Sequence, residues 1–350
     1  MSFFRIGAGL LVISLAAGAA YAYGFLSRPT AGENVSEVLD VERADTALPV
    51  PTPPAPSSEL PVSSVSLAQL QQQDFRGTDF TVGQVLAEQA AYVRYYITYM
   101  SGDLKISGVM NAPRGEGPFP VLILNHGYID PQIYTNGRGL KREQDYLARQ
   151  GYVVVHPDYR NHADSDADPT TDLNLRLGYI EDVINVVYAL RAANLPYVDG
   201  ERIGMLGHSM GGGVTLGVLV TQPELVQGAV LLAPVSADAT QNFERWIVRR
   251  PELASRIIEQ FGSVADNPQF WQGISAKTYL PNIQAPVAIH HGSADDSVPL
   301  QWSQELAVAL QDNKKNSVLH VYEAQPHEFT TAWPVVMQRT TAFFDEHVKS

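Results

Sequence analysis

The stretch RIGMLGHSMGGGVTLGVLV, residues 202–220, is the part of the sequence that most strongly indicates the fold. It opens on the apolar run Ile203–Leu206, which is typical of a strand buried on both faces of a sheet. Glycines flank the tripeptide His208–Met210, and small and apolar residues of helical composition follow. A G-x-S-x-G pattern between a strand and a helix predicts a sharp turn that places the serine hydroxyl above the sheet, at the helix N-terminus. Ser209 is therefore the candidate nucleophile, and a serine in a purely structural turn is the alternative.

The segments around this turn alternate between strands and helices. Two strands are expected first, at Tyr92–Met100 and Leu104–Ala112, with a turn of Ser, Gly and Asp between them. The later buried strands are expected at Val121–Leu124, Tyr152–Val155, Ile203–Leu206, Ala229–Leu232 and Val287–Ile289, and the helices at Leu140–Gln150, Leu173–Ala193, Met210–Val220 and Leu300–Leu310. This alternation predicts an α/β fold with a mostly parallel central sheet flanked by helices.

A long connection, Ser236–Asn282, interrupts the alternation. It has helical patterning and contains Trp246 and Trp271, whose large apolar surfaces suit the lining of a pocket. An insertion at this point would lie over the carboxyl edge of the sheet, where ligands bind in such folds. We interpret residues 236–282 as a helical cap insertion that shapes the substrate pocket; helices packed to one side are the alternative.

A serine hydroxyl is a weak nucleophile until a base accepts its proton, and in this strand–turn–helix context the chain order is serine, acid, histidine. His327 lies in a polar loop, AQPHEF, between the last expected strand and the last helix, and it is the candidate general base. A surface loop histidine is the alternative. Of the other histidines downstream of the serine, His290 and His291 are expected to close a strand directly before Gly292 and to serve the turn. His320 is expected within a strand and His347 in the last helix.

The sequence HGSADDSVP, residues 291–299, supplies two adjacent carboxylates. A buried carboxylate would hold the imidazole in the required tautomer and stabilise the imidazolium. Asp295 is favoured over Asp296 as the acid, because its spacing from the glycine turn fits the motif discussed below. Asp296 is then expected to cap the helix that starts near Pro299.

Stabilisation of a tetrahedral oxyanion requires two donors. The backbone N–H of Met210 directly follows the candidate nucleophile. The second donor is expected from the loop after the first parallel strand, where the sequence is Asn-His-Gly-Tyr, and the backbone N–H of Tyr128 is the candidate. These two amides would form the oxyanion hole.

Together these motifs resemble the catalytic domain of the prolyl oligopeptidase group and the neighbouring dienelactone hydrolase and acetyl xylan esterase-like families, all of the α/β-hydrolase superfamily. The likeness extends from about Tyr92 to the C-terminus, and its motifs are HGY at 126–128, GHSMGG at 207–212, HGSADDSVP at 291–299 and PHEF at 326–329. It implies the α/β-hydrolase fold, a triad of Ser209, Asp295 and His327, and an oxyanion hole from the HG-x loop and the residue after the serine.

The resemblance leaves ester and peptide substrates open. The prolyl oligopeptidases proper carry a large β-propeller that filters peptides, and 350 residues leave no room for one. We therefore expect a serine hydrolase that acts on carboxylic esters through an acyl-enzyme, with a serine peptidase as the alternative. A catalytically silent binding module on the same fold is a third interpretation, which the full set of triad residues disfavours.

Composition excludes several other functions. Acidic residues number 37 against 24 basic ones, for a net charge of -13, and basic residues do not cluster, so nucleic acid is not an expected partner. The absence of cysteine excludes disulfides, thiolate zinc sites and cysteine nucleophiles.

The acidic run Asp164–Asp168 resembles a calcium loop, but Pro169 occupies the glycine position of that loop. No metal or cofactor is expected.

The N-terminal residues have a different character. The run Ile6–Leu26 is uncharged and long enough for the roughly 20 residues that a membrane-spanning helix needs. Residues 1–28 are thus predicted to be a membrane anchor or, because Ala20-Tyr21-Ala22 fits a cleavage site, a signal peptide. Residues 29–66, rich in proline and serine, are predicted to be a linker, and residues 67–350 the catalytic domain. The expected location is extracytoplasmic, either membrane-anchored or secreted.

Overall fold

The structure is a computed structural model that describes residues 65–350. In these residues nine strands form one sheet, β1 Thr78–Glu88, β2 Tyr92–Ser101, β3 Leu104–Pro113, β4 Phe119–Asn125, β5 Val153–Pro157, β6 Val198–His208, β7 Gly228–Leu232, β8 Val287–Gly292 and β9 Ser317–Tyr322. The α-helices are α1 Leu67–Gln72, α2 Lys141–Arg149, α3 Gly178–Ala193, α4 Met210–Thr221, α5 Ala239–Asn242, α6 Pro251–Phe261, α7 Pro268–Gly273, α8 Leu300–Asp312 and α9 Trp333–Phe344. Short 3₁₀ or π turns occupy Pro131–Ile133, Phe243–Ile247, Ala276–Asn282 and Asp345–Lys349.

The sheet order is β1-β2-β3-β5-β4-β6-β7-β8-β9. β1, β2 and β3 pair antiparallel, β3 is antiparallel to β5, and the six strands from β5 to β9 in this order are parallel. From β4 the chain passes to β5 on one side and later to β6 on the other. The crevice between β4 and β6 is therefore the point where loops diverge, and ligands bind at such a point in open α/β sheets.

The central strands are buried on both faces. Along β4, Val121 and Ile123 contact the apolar cluster that includes α3, α4 and α8, whereas Leu122 and Leu124 contact the cluster that includes α2 and α9. Successive side chains of a strand point to opposite faces, so a continuous apolar run is what a covered sheet requires. The predicted mixed, mostly parallel sheet flanked by helices is confirmed.

Two elements differ from the sequence-based expectation. β1 was not expected; it is an edge strand whose residues are mostly exposed, so it lacks a clear apolar pattern. The helix expected from Leu173 begins at Gly178 instead. Leu175 and Arg176 have φ values of 54° and 63°, which are left-handed and end any helix that includes them.

Segment 236–282 has a small core of its own, formed by Phe243, Ala254, Ile257, Phe270, Trp271 and Ile274. Trp271 is only 1% exposed and packs edge-on against two phenylalanines of that core. The expectation that this tryptophan lines the pocket is therefore wrong. Its indole N–H donates to the carbonyl of Gly262, which satisfies the one polar atom of the side chain.

The predictions for residues 1–28 and for most of the linker lie outside the described residues. Ser66, assigned to the linker, instead belongs to the fold: its hydroxyl accepts a hydrogen bond from the amide of Gln69 and so caps α1. Leu67 and Leu70 of that helix are buried. Within residues 65–350 no helix is long and apolar enough to cross a membrane.

Candidate active site

The backbone at Ser209 is held in a strained conformation at the junction of β6 and α4. Its φ of 58° and ψ of -120° are unfavourable for any residue with a side chain. The strain is maintained by hydrogen bonds, since the Ser209 amide donates to the carbonyl of Leu232 at 2.9 Å and its carbonyl accepts from Gly212 at 2.9 Å and from Val235 at 3.1 Å. The side chain is thereby presented at the carboxyl edge of the sheet.

The two glycines of the motif are required by close packing. A Cβ on Gly207 would lie 2.2 Å from the carbonyl oxygen of Gly211. A Cβ on Gly211 would lie 2.0 Å from the carbonyl oxygen of Asn125 at the end of β4. Both distances are far below van der Waals contact, so only glycine lets the strand, the turn and the helix approach this closely.

His327 and Asp295 form a close pair beside the turn. Nδ1 of His327 lies 2.6 Å from Oδ2 of Asp295. The carboxylate is 0% exposed and the imidazole 14% exposed. The second carboxylate oxygen accepts from the amides of Ser297 at 2.9 Å and Val298 at 2.8 Å. With Nδ1 donating to the carboxylate, Nε2 of His327 is the nitrogen that remains to accept a proton.

Asp295 is held in its charged form. Burial alone would raise the pKa of this carboxyl, but hydrogen bonds from His291, His327 and the Val298 amide outweigh burial and hold the pKa well below its usual value. A carboxylate that stays charged near neutral pH can stabilise an imidazolium beside it.

His291 is a part of the site that sequence reasoning missed. His290 and His291 lie directly before Gly292 at the end of β8, as expected, and both are fully buried. His291 also contacts the turn, since its Nε2 lies 3.0 Å from the carbonyl oxygen of Val298. Nε2 of His291 lies 3.2 Å from Oδ2 of Asp295, and Nδ1 accepts from the hydroxyl of Ser303 at 2.7 Å. The spacing of four residues between His291 and Asp295 around a turn is the signal that would have indicated this contact.

Asp296 does not cap α8. Its side chain accepts a hydrogen bond from the Ser297 hydroxyl, at 3.2 Å, and the residue is exposed. Pro299, at the N-cap position, makes no side-chain cap. Asp295 takes the two turn amides instead, because its Oδ1 faces them while its Oδ2 faces the histidines.

His208 connects the loop of His327 to the serine turn. Nε2 of His208 lies 3.2 Å from the carbonyl oxygen of His327, and the two rings are 4.5 Å apart between centroids. Burial, reinforced by the neighbouring His327, lowers the pKa of His208 to about 4, so its ring is neutral. Among the described residues Ser209 makes no side-chain hydrogen bond to His327. In unliganded enzymes this contact is often long and tightens when substrate binds.

The loop after β4 packs directly against the serine. A Cβ on Gly127 would lie 3.1 Å from Cβ of Ser209. The neighbouring Tyr128 is 56% exposed, and the guanidinium of Arg176 lies over its ring at 4.7 Å. Arg176 also reaches the sulfur of Met210 at 3.4 Å. Sequence reasoning missed Arg176, which contacts both residues proposed for the oxyanion hole.

A buried polar network supports that loop from below. His126 is fully buried, stacks on Tyr159 at 4.3 Å between centroids, and has its pKa lowered to about 4, mainly by burial. Asp158 accepts hydrogen bonds from the Tyr134 hydroxyl at 2.9 Å and the Gly137 amide at 2.8 Å. These bonds fix the segment that follows the HGY loop, and a rigid loop is what preorganised donors require.

A cavity of about 710 Å³ opens in front of the serine. Ser209 and Met210 line it from the sheet side, together with Tyr128 from the loop after β4. The cap contributes Trp246 and Phe243 among its lining residues. A concave, partly apolar site with a few polar groups is the usual form of a small-molecule pocket.

One group in the described chain has the geometry of metal ligands: His208, His327 and Glu328 bring one donor atom each to within 4.8 Å of one another. Nδ1 of His327 already bonds Asp295, so a metal would bind through Nε2. That nitrogen is the one available to the serine, so metal binding and proton transfer would exclude each other.

A strained serine on a strand–helix turn and a histidine paired with a buried carboxylate are the features of serine hydrolases with the α/β-hydrolase fold. The chain belongs to the prolyl oligopeptidase family, whose profile matches residues 139–350. The resemblance predicted from the sequence motifs is confirmed.

Known proteins similar to this chain are named both as peptidases and as esterases. The uncharacterized peptidase YuxL of Bacillus subtilis is 26% identical over 318 residues, 85% of this chain and 45% of that protein. The esterase EstD of Thermotoga maritima is 30% identical over 133 residues, 37% of this chain and 30% of that protein. The acylaminoacyl peptidase of Pyrococcus horikoshii has the same fold, with a TM-score of 0.59 and 21% identity over 75% of this chain and 43% of that one. The chain thus spans less than half the length of each of these proteins.

Proposed function

We propose that this serine hydrolase cleaves carboxylic esters through a triad of Ser209, His327 and Asp295 and an acyl-enzyme. The observation that supports the triad is the 2.6 Å contact between His327 and the buried Asp295 beside the strained serine turn. With this contact, Nε2 of His327 can accept a proton, and the Asp295 carboxylate is charged. These are the two conditions that general-base activation of a serine requires.

The geometry supports the following steps. Ser209 Oγ attacks the ester carbonyl while Nε2 of His327 takes its proton, and Asp295 stabilises the imidazolium. The amides of Met210 and Tyr128 are proposed to donate to the oxyanion. Collapse of the tetrahedral intermediate expels the alcohol, which receives the proton from His327. Water, activated by the same histidine, then releases the acid and regenerates the serine.

The preference for esters is supported by the cavity. Its volume of about 710 Å³ lies within the range of roughly 300–1,000 Å³ that is common for small-molecule pockets. Trp246, Phe243 and Ile247 of the cap are among its lining residues, so an acyl chain would be surrounded by apolar groups. We expect the cap residues in this lining to hinder a folded polypeptide from reaching Ser209.

A panel of p-nitrophenyl esters of graded acyl length, assayed beside short peptide anilides and casein, tests the preference. We expect turnover of the short esters, weak cleavage of the anilides and none of casein. Ser209→Ala, assayed on the same panel, identifies any background activity. Efficient cleavage of casein would contradict the proposed preference for esters and favour a peptidase.

A serine peptidase of the prolyl oligopeptidase type is the second candidate, supported by the family and by the name of the Bacillus relative. The two candidates share every catalytic group and differ only in the leaving group, an alcohol or an amine. The ratio of kcat/KM for an ester and an anilide with the same acyl group separates them.

We also propose that the protein is extracytoplasmic, held by residues 1–28 or released after their cleavage. The support is the uncharged run Ile6–Leu26 in the sequence. Fractionation of cells that express the full chain, with N-terminal sequencing of the product, distinguishes an anchored form, a cleaved form and a cytoplasmic form.

A further inference from the structure

The charge of the catalytic cavity is opposite to that of the whole chain. The protein carries a formal net charge of -13. The residues that line the cavity include four arginines, Arg176, Arg245, Arg249 and Arg250, against two aspartates, Asp172 and Asp296. Four positive and two negative side chains leave the lining with an excess of positive charge.

Two of the arginines are paired with one carboxylate. Arg176 donates to Oδ1 of Asp172 at 2.8 Å, and Arg250 donates to Oδ2 of the same side chain at 2.7 Å. Both oxygens of Asp172 are therefore occupied. This carboxylate joins the start of α6 in the cap to the turn before α3, and it neutralises part of the charge of these two arginines.

Arg245 has polar partners, but none of the carboxylates in residues 65–350 forms an ion pair with it. It donates to the backbone carbonyls of Asp296 and Ser297, and its guanidinium lies 5.7 Å and 5.8 Å from the rings of Trp246 and Trp302. Carbonyl oxygens and ring faces orient a guanidinium but carry no formal charge to neutralise it. The positive charge of Arg245 thus persists in the cavity wall.

Of the four arginines in the cavity lining, Arg249 is the one without a bound partner in the described part of the chain. Among residues 65–350 it makes no hydrogen bond, ion pair or ring contact, and it is exposed on the cap while lining the cavity that contains Ser209. A guanidinium presents a planar fork of donors that matches both oxygens of a carboxylate.

We infer that the cavity takes substrates that bear a free carboxylate, and that Arg249 of the cap binds it. This inference names the substrate class of the proposed active site. It rests on the proposed ester hydrolysis where the test measures kcat/KM. Binding of the carboxylate by Arg249 would place the far end of the substrate at the cap while its ester carbonyl lies at Ser209.

The test uses two substrates, the mono-p-nitrophenyl ester of adipic acid and its methyl ester, which differ by one negative charge and one methyl group. For the wild-type protein we expect kcat/KM to be about tenfold higher for the free acid, the effect of one charge-assisted hydrogen-bonded contact. Arg249→Gln should remove this preference, so that the ratio of kcat/KM for the two esters falls to about one.

Arg256→Gln is the matched control, because Arg256 is exposed on α6 and lies outside the cavity lining. Arg256→Gln makes the same change in net charge as Arg249→Gln, and this variant should keep the preference for the free acid. An equal loss in both variants would show a long-range field and overturn the assignment to Arg249. Hydrolysis of both esters without a preference would overturn the inference while the proposed function stands.

Calorimetric binding of the same two compounds to Ser209→Ala separates the inference from the chemistry. Tighter binding of the free acid, lost when Arg249→Gln is added, supports the inference whether or not the wild type turns the esters over. Equal binding of the two compounds contradicts it. Absence of hydrolysis by the wild type would count against the proposed function alone.

Discussion

The Asp295 carboxylate receives hydrogen bonds from two imidazoles and two backbone amides, so it is oriented from every side. In the proposed triad the carboxylate would therefore orient the imidazole as well as stabilise its positive charge. A triad acid must point at Nδ1 of the base, and His291 together with the turn amides prevents the carboxylate from rotating away. In the proposed triad, His291 would therefore be a positioning residue that acts through Asp295.

Asp295 and Asp296 provide a matched pair of substitutions at this scale. Asp295→Asn should lower kcat by about 10⁴-fold, because the amide no longer holds the histidine in the required tautomer. Asp296→Asn should change kcat much less, because that residue is exposed and, within residues 65–350, its side chain hydrogen-bonds only the Ser297 hydroxyl. Steady-state kinetics on a short ester, with thermal melting as a check on folding, measures both effects. The reverse ranking would contradict the assignment of the acid.

At the scale of elements, the β6–α4 turn depends on glycines that allow three backbone segments to meet. Gly211→Ala should destabilise the protein by about 2 kcal/mol or more and reduce activity, because the new Cβ would lie 2.0 Å from the carbonyl oxygen of Asn125. Gly273→Ala is the control, since its Cβ would lie 3.9 Å from Cβ of Ser66, an ordinary van der Waals distance. Urea unfolding compares the two, and equal stabilities would refute this account of the turn.

The two cap tryptophans should respond differently to substitution. Trp246 lines the cavity, so Trp246→Ala should shift the preferred acyl length of ester substrates with little loss of stability. Trp271 is buried in the core of the cap, so Trp271→Ala should cost about 3–5 kcal/mol. Kinetics over the ester series and chemical denaturation distinguish the two effects. A change in acyl preference from Trp271→Ala alone would show that the wrong tryptophan was assigned to the pocket.

At the scale of the whole molecule, the protein contains several buried histidines that stay neutral. Burial lowers the pKa of His126 and of His208 to about 4 and that of His290 to about 3, and it places the pKa of His156 well below its ordinary value. The unfolded chain binds more protons than the folded one between these values and the ordinary histidine pKa of about 6.5.

Stability should therefore rise with pH across this interval. The folded pKa values are lower than the unfolded ones, so acidification from about pH 6.5 to pH 4 favours the unfolded state. We expect the free energy of unfolding, measured with urea, to fall as the pH falls through this range. His290→Gln should make the free energy of unfolding depend less steeply on pH. A free energy that stays constant from pH 7 to pH 5 would contradict the burial of neutral histidines.

The sequence predicted those parts of the molecule that depend on local patterns. Apolar runs indicated the central strands, and the glycines around Ser209 indicated the turn, because close approach of the backbone there admits no other residue. The contacts of Arg176 and His291 and the burial of Trp271 escaped prediction, since they depend on which distant elements meet. β1 was missed because an exposed edge strand needs little apolar pattern.

The central claim, that Ser209 is the nucleophile, is tested most directly by covalent labelling. A fluorophosphonate probe should modify the wild-type protein at one residue, and peptide mass spectrometry should locate the adduct on Ser209. Ser209→Ala, shown by circular dichroism to be folded, should not be labelled, and its kcat on a short ester should fall by about 10⁴-fold or more. Equal labelling of the alanine variant, or an adduct on another residue of the wild type, would contradict the claim.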